Sequence, residues 1–197
     1  MKAILQITLL LFNTILVVSN TTAATTQKPD DELRILLKTA IADADSFEDR
    51  FDAEVWLKDM STRLHKTIKD PSNRISLLKQ IHHEAKRVAL PPELILSIIQ
   101  VESNFDRFAI SRVGAIGLMQ IMPFWLKEIG NEKDNLFNAR TNLRFGCTIL
   151  KYYLDKEKGN LTYALARYNG SKNSFVYPKK VYYQLDNRWH NRSSTFN

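Results

Sequence analysis

Pro91-Pro92-Glu93-Leu94-Ile95-Leu96-Ser97-Ile98-Ile99-Gln100-Val101-Glu102-Ser103 is the segment on which the reading of this chain turns. The proline pair ends one helix and opens the next, because proline is tolerated in a first helical turn. Ile95, Ile98 and Ile99 then fall on one face, and four residues beyond Ile98 the same face reaches Glu102. A carboxylate therefore continues an apolar stripe. An ionised carboxylate without a partner is costly to bury, so such a group pairs or keeps its proton. Glu102 also stands near the C-terminal end of its helix, where the macrodipole disfavours negative charge. Both effects raise its pKa. A pKa raised by about two pH units corresponds to about 2.7 kcal/mol and keeps much of the group protonated near neutral pH, and a carboxylic acid held that way can protonate a glycosidic oxygen. Helix geometry alone leaves the alternative open: a solvent-facing glutamate that finishes a helix.

Outward from this segment the pattern is helical. Ser46 opens one helix, with Asp49 three residues on and Phe47, Phe51 and Val55 at i+4 spacing, after an earlier stripe of Leu33, Leu36, Leu37 and Ala40. Leu57, Met60, Leu64 and Ile68 extend a helical face until Asp70-Pro71-Ser72-Asn73, where Ser72 is placed to cap the next helix. That helix carries Ile75, Leu78, Ile81, Ala85 and Val88. Periodicity lapses from Ser103 to Ile116 and resumes over Pro123 to Ile129, Arg140 to Leu154, Leu161 to Tyr168 and Pro178 to Leu185. There is no sustained strand alternation and no internal repeat. The expected fold is mainly α with little or no β structure.

The 197 residues, 44% hydrophobic and 25% charged, suit a globular protein rather than a disordered one. One cysteine, Cys147, excludes an internal disulfide framework and a multi-cysteine metal site; its expected place is inside a helix core. His82 and His83 are adjacent and splay apart on a helix, and no His-Glu-x-x-His pattern occurs, so neither metal nor cofactor is expected. Lys2, the apolar stretch Ile4 to Val18 and Thr21-Thr22-Ala23-Ala24 have the order of a secretory signal peptide. The stretch of about 15 residues makes roughly 22 Å of helix, short of the ~30 Å hydrocarbon core. Export with cleavage near Ala23 is expected, hence a periplasmic or secreted protein without a membrane span. The formal charge of +7 points to an anionic envelope partner. The charges are scattered rather than clustered, which speaks against nucleic acid.

Val101-Glu102-Ser103-Asn104-Phe105, then Gly114-Ala115-Ile116-Gly117-Leu118-Met119-Gln120-Ile121-Met122-Pro123, then Ala166-Arg167-Tyr168-Asn169-Gly170 form a set. It resembles the soluble lytic transglycosylase family, relatives of goose-type lysozyme, over roughly Ile75 to Val181. The long Gly-Leu-Met-Gln-Ile-Met-Pro stretch is the specific part; Glu-Ser or Tyr-Asn alone means little. The resemblance implies a lysozyme-like helical domain over 73–190, preceded by a signal peptide (1–23) and short N-terminal helices (24–72), with a tail from 191 to 197. It implies Glu102 as the catalytic glutamate. Ser111 corresponds to a serine that hydrogen-bonds the substrate N-acetyl region, and Gln120 and Met122 to residues lining the glycan cleft. Tyr168 and Asn169 correspond to the tyrosine near the catalytic carboxyl and the asparagine beside it.

The implied reaction cleaves the MurNAc-GlcNAc β-1,4 bond of peptidoglycan strands and leaves 1,6-anhydro-MurNAc ends, with Glu102 as acid and then base. Candidate protein partners are envelope or secretion complexes. Two alternatives stay open. A hydrolytic muramidase would use a second carboxylate, for which Asp106, Glu128 and Asp134 are present. A non-catalytic glycan-binding envelope module would need no turnover at all. After Tyr168-Asn169 this chain departs from the family pattern, continuing Gly170-Ser171-Lys172 where many relatives have Ala-Gly-Pro. Residues 31–70 read either as a buttress or as a partner-binding extension.

Overall fold

The structure is a computed structural model that describes residues 50–129 and 133–190. The signal segment, the helices expected before residue 50 and the tail lie outside the described residues. Among the described residues seven α-helices follow in order: α1 (Arg50–Leu64), α2 (Pro71–Arg87), α3 (Pro92–Glu102), α4 (Phe124–Ile129), α5 (Ala139–Lys156), α6 (Leu161–Tyr168) and α7 (Val176–Gln184). A π-helical turn, Leu185–Trp189, extends α7. Among the described residues the only β pairing is two isolated bridges, Ile110 to Ile116 and Ile116 to Ile121. The mainly α expectation holds.

Helix α3 is the axis of the molecule. Leu94, Ile95, Leu96, Ser97, Ile98 and Ile99 are all buried, so the helix is covered on every side. It packs on α2, on α7 and on the π turn, while α5 packs on α2 and α6. The lone polar group of that run, the Ser97 hydroxyl, is satisfied by donating to Glu93 O at 2.7 Å. Trp189 fills the far side of the core beneath Phe105, with ring centroids 5.5 Å apart. Cys147 is buried in α5, and burial pushes its thiol pKa up, as expected for an inert core thiol.

Three local expectations are corrected. Asp70, not Ser72, caps α2: its carboxylate accepts from Asn73 N at 2.6 Å and Pro71 takes the first helical position, where it forfeits no hydrogen bond. Helix α1 ends at Leu64 rather than reaching Ile68, which packs half-buried from the following turn. Helix α7 starts at Val176, so Pro178 lies inside its first turn rather than at its beginning.

Helix α1 shares the core with the rest of the chain. Trp56, Leu57, Met60 and Leu64 are buried in it, and the Trp56 indole donates to Glu93 on α3 at 2.7 Å. Arg63 reaches the other end of the chain, donating to the carbonyls of Arg188 and His190, both at 2.9 Å. Between α2 and α5 lies a buried charge cluster. Glu84, fully buried, takes Arg87 at 2.7 Å and Arg144 at 3.0 Å, and Arg87 also donates to Thr148 Oγ1 at 2.8 Å. Two guanidinium groups on one carboxylate leave no oxygen of Glu84 without a partner.

Candidate active site

Glu102 is the last residue of α3, and the loop from Ser103 to Pro123 wraps back over it. Ser103 explains why a serine follows the glutamate. Its hydroxyl bonds to Leu118 O at 2.8 Å and so ties the helix end to the turn that carries Gln120. Asn104, Phe105 and Gln120 all have positive φ, at 50°, 67° and 52°. Side chains rarely adopt this conformation, so the surrounding contacts must enforce it. Gly117, at φ 80°, makes the tight entry of the Gly-Leu-Met-Gln turn, whose ends close through Ile116 N to Ile121 O and the reciprocal bond, both 2.9 Å.

The six residues singled out from the sequence come together. Glu102, Ser111, Gln120, Met122, Tyr168 and Asn169 all line one cleft of about 280 Å³. Ser111 Oγ accepts from Ala115 N at 3.0 Å, which holds the hydroxyl at the cleft wall. The Gln120 amide is turned into its own loop: Nε2 donates to Gly117 O at 2.9 Å and Ala109 O at 3.3 Å, so its donors serve the loop before any ligand. Met122 is half-buried at the cleft, whereas Met119 is fully buried and belongs to the core. Tyr168 donates its hydroxyl to Met119 O at 2.8 Å. Asn169 ends α6 and accepts from the Ser171 hydroxyl at 3.1 Å.

Glu102 is the only carboxylate among the described residues that line the cleft. Asp106 sits on the exposed part of the loop and binds Phe108 N at 2.8 Å. Asp134 does not line the cleft, and the Glu128 side chain lies outside the described residues. Glu102 is half-buried where it lines the cleft, and the desolvation that goes with this raises its pKa from 4.5 to about 7. Tyr177 opposes the rise through its hydroxyl. The phenol is near enough to act on the carboxyl as a donor. Even so, it forms no hydrogen bond of regular length and angle with any described group, although it is buried. Burial and then the Glu102 charge push the pKa of both Tyr168 and Tyr177 well above the usual tyrosine value.

Sequence reading did not single out Tyr177, nor Trp125, Ile149, Tyr153 and Arg167 in the cleft wall. The signal for Tyr177 was its one-turn spacing from Val181, both buried on α7. Trp125, Ile149 and Tyr153 carry no chemical mark that separates them from ordinary core, and the Arg167 guanidinium is paired with Glu157. Among the described residues no group of His, Cys, Asp or Glu could hold a metal ion, and no helix is long and apolar enough to cross a membrane.

Several known proteins are similar to this chain in sequence. A transglycosylase of Enterobacteria phage PRD1 is 36% identical over 84 residues, 43% of this chain and 31% of that protein. The membrane-bound lytic murein transglycosylase C of Histophilus somni (strain 2336) is 37% identical over 94 residues, 43% of this chain and 26% of that protein. A solved structure, an inactive mutant of the lytic transglycosylase Slt from Pseudomonas aeruginosa, aligns at a TM-score of 0.43 with 31% identity over 48% of this chain and 16% of that one. The chain thus spans about a third or less of the length of the curated relatives it matches. The sequence model of the Transglycosylase SLT domain matches residues 79–189, more than half of the 197 residues, and the chain belongs to that family.

Proposed function

We propose that this protein is a peptidoglycan lytic transglycosylase in which Glu102 is both the general acid and the general base. The observation that carries the reading is Glu102 itself: the sole carboxylate among the described cleft-lining residues, with burial raising its pKa to about 7. A group of that pKa is half protonated at neutral pH and can give and then take a proton within one turnover.

Glu102 in its acid form donates to the oxygen between N-acetylmuramic acid and N-acetylglucosamine, and the C1–O bond breaks. The acetamido oxygen of the muramyl residue closes on C1 and takes up the developing positive charge, the substrate-assisted exception to two-carboxylate glycosidases. The Glu102 carboxylate then removes the proton of the muramyl 6-hydroxyl, whose oxygen displaces the acetamido group from C1. A 1,6-anhydro ring results, no water enters, and Glu102 ends as it began, protonated. In this scheme Ser111 hydrogen-bonds the N-acetyl region and Gln120 and Met122 shape the cleft floor. Tyr168 and Asn169 border the carboxyl. Neither a metal nor a cofactor takes part. The relatives' names and the positive charge support a reading in which the work is done on envelope glycan outside the cytoplasm, and the core side chains of α1 support its reading as a buttress for the catalytic domain.

The test is turnover on purified sacculi. Glu102→Gln keeps the size of the side chain and removes the titrating proton. Turnover is expected to vanish while the circular dichroism spectrum and the thermal midpoint stay at or above those of the native chain. A Glu102→Gln protein that still releases muropeptides contradicts the assignment.

A further inference from the structure

Asn142 sits on α5, one turn after the Asn138 cap that starts the helix by accepting from Thr141 N at 3.1 Å. Its side chain is fully buried, and an unsatisfied carboxamide there would be costly. Every polar atom is used. Nδ2 donates to Ile116 O at 2.8 Å and to Leu136 O at 3.0 Å, and Oδ1 accepts from Met119 N at 2.8 Å. Two donors and an acceptor on one short side chain are what this junction needs, and only a carboxamide supplies them at that length.

The turn is fitted to this group. A Cβ on Gly117 would come 2.5 Å from Asn142 Nδ2 and 2.6 Å from Leu136 O, so the backbone there lies directly on the carboxamide. A Cβ on Gly146, one turn further along α5, would come 2.3 Å from Met119 Sδ. The Met119 peptide is thereby bracketed: its N–H is held by Asn142 from α5, its C=O by Tyr168 from α6. The next residue is Gln120, at φ 52°, followed by Ile121 and Met122 of the cleft. The same turn is tied to the Glu102 end of α3 through Ser103 and Leu118 O.

We propose that Asn142 is a positioning residue that sets where the 116–122 turn, and with it the cleft floor, stands relative to Glu102. It touches no substrate and acts through Met119 on Gln120 and Met122. The inference rests on the transglycosylase reading for its effect on turnover, though not for its effect on the turn. Asn142→Asp retains the acceptor for Met119 N–H and sets a second acceptor against two carbonyls. The turn is then released rather than the helix.

The experiment uses the full chain with Asn142→Asp, and Leu78→Ala on α2 as a core-stability control. Amide hydrogen exchange is followed across the chain, and kcat and KM are measured on purified sacculi, per folded molecule. For Asn142→Asp, faster exchange confined to residues 115–122 is expected, with kcat/KM down by about tenfold or more, as a displaced binding surface commonly costs. Leu78→Ala is expected to lower the thermal midpoint while leaving kcat/KM per folded molecule near the native value. Native exchange at 115–122 in Asn142→Asp overturns the proposal whatever the substrate. So does native kcat/KM per folded molecule in a chain whose parent cleaves sacculi. If the parent itself cleaves nothing, the transglycosylase reading falls and the exchange result alone decides the role of Asn142.

Discussion

The Tyr177 hydroxyl stands beside the Glu102 carboxyl where α7 meets the end of α3, and it pulls the carboxyl pKa down while burial drives it up. The two residues belong to helices that pack closely, so the balance between them is built into the core rather than into a loop. Removing the phenolic oxygen leaves burial unopposed. Tyr177→Phe is expected to shift the alkaline limb of kcat/KM upward, by several tenths to about one pH unit. A pH profile from 5 to 9 measures it, and a downward shift contradicts this role for Tyr177.

The raised pKa also makes a stability prediction whose sign differs from the usual carboxylate case. The native state gives up the Glu102 proton near 7 and the unfolded chain near 4.5. Between these values the native state binds more protons, so stability falls as pH rises. The penalty is absent below about 4.5 and complete above about 7, and amounts to roughly 3 kcal/mol at most. Glu102→Gln is therefore expected to be more stable than the native chain at pH 8, and to lose that advantage at pH 4. Urea titrations at the two pH values test it, and equal gains at both would rule out an ionisation origin.

The Glu84 cluster gives a prediction remote from the cleft. Glu84→Ala leaves the buried Arg144 and the half-buried Arg87 guanidinium groups without their shared carboxylate. A loss of about 3–5 kcal/mol is expected, read from denaturant midpoints. A loss below about 1 kcal/mol, the range of an exposed pair, would mean that water reaches the cluster.

Helix α1 lies wholly ahead of the family match, which begins at residue 79, yet it supplies core side chains. Trp56→Ala removes both a buried indole and its bond to Glu93. If α1 is a buttress, the cost is about 3–5 kcal/mol, in the range of aromatic truncations in cores. Near-native stability would favour the other reading of this segment, a surface for a partner.

The helices were legible because apolar spacing is a local property. Leu161–Tyr168 was bounded to the residue by Asn160, whose side chain accepts from Tyr163 N, and by the Asn169-Gly170 turn. The cap of α2 was not, because Asp70 and Ser72 are both good capping residues and only Pro71, fixed at the first helical position, decides between them. Glu102 could be singled out from its stripe, and the motifs downstream brought Ser111, Gln120, Met122, Tyr168 and Asn169 with it. Tyr177 and Asn142 were missed for a different reason. Their roles come from contacts across 75 and 23 residues of chain, Tyr177 with Glu102 and Asn142 with Met119, and no spacing along a helix marks such pairs. The positive φ of Gln120 was equally hidden, since it is imposed by the turn and not by the residue.

Everything proposed for the cleft returns to a single carboxyl group working without a nucleophilic or water-activating partner. Mass spectrometry of the muropeptides released from purified sacculi decides it. Products lacking one water per cut, with 1,6-anhydro-MurNAc ends, are expected; reducing MurNAc ends would contradict the proposal and call for a second carboxylate.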